Sequence, residues 1–413
     1  MNMKKFFLTA VAALLCTAMM GADKKVDVSL YGFVANQMYW QDRAEYQAVD
    51  GLLNFFPKDN SYNSKGEDMN EDFNSSMISI ITRLGVTVKG PEILNATPSA
   101  QIEGDFSASG MTFFLRQAFI RFDWDKSRLT FGQTGHPMCT DLMPGTINIA
   151  IGSPFNALNR SPMLRFDCFL NDKKSVTLTG AAIYQYQSGS STGPDGKTFQ
   201  YFRNSNVPEL WFGISGKTGG FNVEAGFDWL QLSPRKVNDY GLKISERFSQ
   251  WAAMLQMSYS HAAFSIKAKS LYGYNMSHLN LATGYGVSAI NSDGSYEYAP
   301  LKATSSWVFA SYGRTWRAGL FLGFMKNLGA DKDLILNDNG KNLLWVYGGK
   351  DNNIDLIYRV CPQIEYLVGN FTFGLEYEMT TTAYGKKIES NGRVSDTHNV
   401  SNNRVMLSAK YSF

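Results

Sequence analysis

The sequence predicts an all-β chain: a transmembrane, antiparallel, up-and-down β-barrel of about sixteen strands, with long extracellular loops and the third of them inserted into the lumen. Three observations lead there. Apolar and polar residues alternate with a period of two in one segment after another, which is the mark of a strand with one greasy and one wet face. The connections between these segments are alternately short and long. The composition is that of a strand former, with 14% aromatic and only 18% charged residues, 21 Tyr and 37 Gly.

Taken in order, the chain begins with Lys4 and Lys5, an apolar run from Phe6, and small residues at Gly21 and Ala22 before charge returns at Asp23. This three-part layout predicts a signal peptide over residues 1–22 and an exported mature chain, 23–413, forming a single domain. A membrane anchor is the weaker reading, because the run is only marginally long enough to span a bilayer. Lipid attachment at Cys16 is weaker still, because Leu15 is bulky. Without Lys4 and Lys5 the net charge falls from +3 to about +1, so nothing favours nucleic acid as a partner. Cys139, Cys168 and Cys361 remain, an odd number that cannot all pair within one molecule.

Strands are expected near residues 26–40, 75–90, 98–109, 112–124, 127–135, 162–170, 174–187 and 206–216, and again near 219–231, 249–260, 262–274, 302–312, 315–326, 354–368, 370–382 and 401–413. In "FNVEAGFDWL", Phe221, Val223, Ala225, Phe227 and Trp229 oppose Asn222, Glu224, Gly226 and Asp228. Short connections such as "DKS", "NDKK" and "GN" alternate with mostly long ones at 41–74, 136–161, 188–205, 232–248, 275–301, 327–353 and 383–400. A soluble sandwich also alternates along its strands, but it has no reason to gather short turns at one end and long loops at the other. A transmembrane barrel does, and it must close on itself to satisfy its strand edges in lipid. Closure pairs the last strand with the first, "VDVSLYGFVANQMYW". The ending "NRVMLSAKYSF" resembles the terminal strand signal read by the barrel-assembly machinery, with Tyr411 and Phe413 carrying it; Met406 is its one break in alternation.

The runs "LYGFVANQMYW", "AVDGLLNFFPKD", "GEDMN", "ITRLGVTVKGPEILNA", "IEGDF", "LRQAFIRFDW", "FGQTGHPM" and "GSPFNALNRSPMLRF" resemble an outer-membrane porin family of anaerobic Gram-negative bacteria, related to the DcaP-like trimeric porins. The resemblance is dense from Leu30 to about Phe166 and one of pattern beyond. It implies a sixteen-stranded homotrimer in the cell outer membrane, taking up small polar or anionic solutes. It identifies no solute.

The third long connection carries few titratable side chains for its length: Asp141, Arg160, one histidine and Cys139. Insertion into the barrel, with Ile147, Ile149, Ile151 and Phe155 on the wall, explains this; a lid over the mouth or a grip on a neighbouring subunit is the other reading. Alternation assigns Arg83, Arg121, Arg165, Lys267, Lys269, Arg317, Arg359, Arg404 and Lys410 to the lumen, with Glu103, Asp105, Asp123, Asp167, Glu224, Asp228, Glu365, Glu376 and Glu378. Most of these can be cross-strand partners stiffening a wet wall. Arg83, Arg121, Arg160 and Arg165, on or beside strands bordering the inserted loop, are with Asp141 the candidate constriction, and an arginine row there would draw anions. In the fourth strand both faces are apolar and Arg116 falls opposite Arg121, which calls either for a neighbouring subunit on the outside or for a β-bulge turning Arg116 inward.

No cofactor is expected. His136 and Cys139 suggest a metal pair, but no further ligand cluster accompanies them in sequence, so no metal site is expected. An enzyme needs a base beside a nucleophile; His136, His278 and His398 fall in predicted loops and His261 in a turn, so none is expected. The function read from the sequence is a channel for passive diffusion of small polar solutes, with modest preference for anions such as small organic acids. A structural or adhesive barrel without an open pore is the alternative.

Overall fold

The structure, a computed structural model, describes residues 26–49, 51–108, 112–148, 152–186, 192–347 and 353–413. The expected signal peptide, Ile149, Ile151 and the second loop at 109–111 lie outside the described residues.

Each expected strand is present. The wall runs β1 (Asp27–Gln41), β2 in two segments (Asn74–Ile78 and Arg83–Lys89), β3 (Thr97–Ala108), β4 (Thr112–Asp123), β5 (Ser127–Gly135), β6 (Arg160–Phe169), β7 (Val176–Ile183) and β8 (Glu209–Thr218). It continues through β9 (Phe221–Leu232), β10 (Phe248–His261), β11 (Phe264–Tyr274), β12 (Lys302–Gly313), β13 (Trp316–Gly329), β14 (Ile354–Val368), β15 (Phe371–Ile388) and β16 (Val394–Ser412). Every neighbouring pair is antiparallel, and the sheet closes where β1 meets β16, from Phe33 opposite Ser412 to Gln41 opposite Arg404. Backbone bonds between Gly32 and Phe413, at 3.0 and 3.1 Å, complete the seam. Closure leaves no open strand edge, the condition for a sheet in hydrocarbon.

Burial is inverted relative to a water-soluble protein. Phe371, Phe373, Leu375 and Tyr377 on β15 are 40–45% exposed, whereas Glu376 and Glu378 between them are 1% and 3% exposed. The apolar face is the outer one, where lipid rather than water covers it, and the ionic groups face inward. The buried apolar core therefore lies inside the barrel, where Met138 and Phe155 of the third loop pack with Trp307, Phe321 and Ile357 of the wall.

Two segments depart from the expected strands. β2 is broken at residues 79–82, where Ile81 turns into a buried apolar cluster with Ala35 and Leu52. The loop expected at 383–400 is instead mostly strand, because β15 and β16 pair out to Ile388 opposite Val394, and His398 sits on β16. Alternation failed to reveal this extension because Thr380 to Tyr384 are buried on both faces, packed in part beneath the first loop.

Candidate functional site

The third loop, residues 136–159, opens on a single helical turn, α1 (Pro137–Thr140), with proline at its start, where a missing N–H costs nothing. From there it crosses the lumen to the far wall, and polar side chains of that wall meet its backbone. Lys269 on β11 donates to the carbonyls of Met138 at 2.7 Å and Leu142 at 2.6 Å. Gln363 on β14 donates to Gly145 O at 2.9 Å. Glu376 on β15 accepts from Ile147 N at 2.7 Å and Asn148 N at 3.2 Å, and Gln37 on β1 donates to Ile147 O at 2.7 Å. Arg359 Nη1 donates to Ser153 O at 2.6 Å, and Trp307 Nε1 to Asn156 Oδ1 at 3.1 Å. Buried backbone groups need partners, and here the wall supplies them, so the loop is an inserted one.

Two wall glycines make room for it. A Cβ on Gly374 would lie 2.6 Å from Ile147 Cδ1, and one on Gly323 would lie 2.5 Å from the Phe155 ring. Met406, the break in the last strand's alternation, packs with Ile147, Tyr39 and Ile78. Its inward apolar side chain is the floor under the loop's tip.

The candidate arginines fall into two groups. Across β3 and β4 the register slips between Glu103 and Gly104, so that Arg116 is the extra residue of a bulge. This turns it inward, where it bonds Glu103 at 2.9 Å and Asp105 at 2.6 Å, with Arg83 3.7 Å from Glu103. Arg160, at the start of β6, lies within electrostatic reach of Arg116, Arg83 and Asp105. In the second group Arg165 bridges Asp141 of the third loop at 3.1 Å and Asp167 at 3.0 Å. Arg121 hydrogen-bonds Thr130 and lies near Arg128, Asp123 and Arg165. Asp141 and Arg165 border a cavity of 260 Å³, which adjoins one of 340 Å³ lined by Asp141, Lys174, Lys217 and Glu224.

Sequence reasoning missed Arg128 as a lumen residue and the tethering roles of Lys269, Arg359 and Glu376. It also placed the first loop outside, whereas a hairpin of Glu45–Ala48 and Leu53–Pro57 folds inward. Asn54 donates to Glu378 Oε1 at 2.7 Å, Arg359 Nη2 to Phe55 O at 3.1 Å, and Tyr384 Oη to Pro57 O at 2.6 Å. Burial, reinforced by the Glu378 carboxylate, pushes the Glu45 carboxyl of this hairpin up to about 7 despite Arg404 at 3.7 Å. The run "GLLNFFPKD" was the available signal, being too apolar for an exposed loop.

Cys139, Cys168 and Cys361 are free thiols. Among the described residues Cys139 has no part in a ligand cluster, but His136 does: its ligand atom and those of Glu209 and Asp228 lie within 4.8 Å of one another. Sequence spacing could not reveal this grouping, because the three residues come from the third loop, β8 and β9.

No protein-family model and no curated protein matches the chain. Solved structures do. The outer-membrane channel DcaP of Acinetobacter baumannii superposes with a TM-score of 0.68 at 17% identity, covering 94% of this chain and 97% of that one. The outer-membrane protein OmpT of Vibrio cholerae, in a trimer form, gives 0.54 at 12% identity over 94% and 99%. OmpF of Salmonella typhi, complexed with daunomycin, gives 0.52 at 12% over 94% and 97%. With closed antiparallel pairing, an apolar exterior, a charged interior and a loop laid across the lumen, the chain is a β-barrel with the fold of these outer-membrane porins.

Proposed function

We propose that the barrel is a water-filled channel for passive diffusion of small polar solutes, narrowed by the third loop. The observation that carries this reading is the loop itself: its backbone is tied to the far wall by Lys269, Gln363 and Glu376, leaving Arg83, Arg121, Arg160, Arg165 and Asp141 on the other side as the constriction. Arg83 and Arg116 pair with Glu103 and Asp105, with Arg160 in electrostatic reach, while Arg128 and Arg165 pair with Asp123, Asp141 and Asp167, with Arg121 nearby, so these six arginines face five carboxylates. A modest anion preference follows, and small organic acids fit it. Discrete ohmic steps from the purified barrel in a planar bilayer are the test.

The second reading, a structural or adhesive barrel, draws support from the inward first loop, which helps bury Asn54, Arg359, Glu378 and Arg404 in the outer half of the lumen. A folded but silent barrel would favour it. No enzymatic role is proposed for either form. Tyr411 and Phe413, lipid-facing at 40% and 44% exposure, are proposed as the contact for the assembly machinery. Export through a signal peptide over residues 1–22 belongs to the same reading. A homotrimer is proposed, by analogy with the trimer form of the Vibrio protein; native mass measurement in mild detergent should give three copies, and a monomer would count against it.

A further inference from the structure

Beside the third loop's root, the wall holds a second ionisable cluster that plays no part in the proposed constriction. Glu209 begins β8 and Asp228 lies on the inner face of β9; His136 caps α1, and His278 sits in the short turn Met276–Leu279 between β11 and β12. All four are essentially sealed from solvent, at 0–1% exposure. Polar groups so deeply buried are normally all hydrogen-bonded. Here the satisfaction is uneven.

Glu209 is fully engaged, since Oε1 lies 3.0 Å from His136 Nε2 and Oε2 accepts from Gln185 Nε2 at 2.9 Å. His136 is oriented by its other nitrogen, because Nδ1 accepts the Met138 amide at 3.1 Å, which leaves the proton on Nε2 to be donated to Glu209. By contrast, Asp228 Oδ1 has no hydrogen-bond partner, and neither does either ring nitrogen of His278. His278 Nε2 nonetheless lies 3.2 Å from Glu209 Oε1 and 3.8 Å from Asp228 Oδ2, close to both oxygens but without hydrogen-bond geometry to either. An imidazole nitrogen and two carboxylates thus converge without a hydrogen bond of good geometry between them.

We infer that Glu209, Asp228 and His278 hold a divalent transition-metal ion, zinc in the first instance, with His136 and Gln185 positioning Glu209 from behind. Zinc bonds to nitrogen and oxygen are about 2.0–2.1 Å, so the edges of its coordination tetrahedron are about 3.3–3.4 Å. The 3.2 and 3.8 Å separations from His278 bracket that edge and the Glu209 and Asp228 oxygens lie within 4.8 Å of each other, so a contraction of the Asp228 side chain brings three of the four tetrahedral positions together. Two carboxylates and a neutral imidazole cancel the ion's charge and leave the pocket near neutrality, as burial requires. Hydrogen bonds onto a ligating carboxylate are the usual outer support of such sites. The ion would pin the loop between β11 and β12 to the wall next to the root of the inserted loop, where Asn159 Nδ2 already donates to His278 O at 2.9 Å.

Because the site is sealed, the metal must enter as the barrel forms. The full chain, made without an oligohistidine tag, is unfolded in urea with chelator, refolded into detergent with one equivalent of zinc chloride, and desalted against EDTA. About one zinc per compact, heat-modifiable barrel is expected, with at least tenfold less retained by His278→Ala and Asp228→Asn. His398→Ala, beside Asp59 at a partly exposed site, should retain the wild-type amount. A wild-type barrel that refolds and keeps no zinc overturns the assignment, as does equal retention by the His278 variant. If these variants do not fold, elemental analysis of wild-type barrel extracted from outer membranes decides: one transition-metal ion per chain supports the site, and none overturns it.

Discussion

Replacing Glu376 with alanine removes the carboxylate that holds the tip of the inserted loop. Asn148 N, at 3.2 Å, loses its acceptor, and Ile147 N exchanges its 2.7 Å bond for the longer one to Gln363 Oε1 at 3.2 Å. A buried donor left without an acceptor costs about 1–3 kcal/mol; with Asn148 N bare and Ile147 N on a weaker bond, the loss is about 3 kcal/mol. At 1.4 kcal/mol per tenfold, the detached fraction of the tip rises about 100-fold. The bonds from Gln363 to Gly145 and from Gln37 to Ile147 persist, so the tip should detach transiently rather than leave the wall. Single-channel recording should therefore show brief upward excursions about 100-fold more often, with a small rise in mean conductance. Glu376→Gln, which keeps an acceptor, should fall between the two. Glu389→Ala, in the exposed turn between β15 and β16, should change nothing. Unchanged noise in a properly folded Glu376→Ala barrel would refute the tether.

Three other outcomes follow from the same geometry. Arg165→Ala leaves Asp141 and Asp167 without their shared cation, so the zero-current potential under a salt gradient should move toward cation preference, and the move should shrink at about 1 M salt, where screening acts within roughly 3 Å. The raised carboxyl of Glu45 favours the inward first-loop hairpin while protonated; that contribution is full below the ordinary glutamate value and is lost as pH rises through about 7, so conductance should rise between pH 5 and 8 and Glu45→Gln should flatten the profile. Deleting Phe413, which closes the seam on Gly32, should reduce the compact band in unheated gels while surviving channels conduct normally; unaltered assembly would remove the proposed signal.

The strands were legible because each wall residue faces either lipid or lumen, and that choice repeats every second position. Leu375 and Glu376 show it directly, one outward and one sealed inside. Where both faces are packed, the signal vanished: the expected strand stopped at Thr382, and Ala383 to Ile388 read as a loop although they continue β15. A one-residue slip was enough to turn Arg116 inward, and both orientations were open from the sequence because a bulge leaves no fixed residue pattern. Charge alternation located Lys269, Arg359 and Glu376 in the lumen but gave no sign that they hold a loop rather than meet a solute, since that depends on which backbone lies across from them. His136, Glu209, Asp228 and His278 are separated by long stretches of chain, and only the closed order of the strands brings them together.

Conduction itself is tested most directly by inserting the purified, heat-modifiable barrel into a planar lipid bilayer. Discrete, ohmic conductance steps with a reversal potential slightly on the anion side are the expected result. Silence from a folded sample would contradict the open channel and leave the inward first and third loops as parts of a closed, structural barrel.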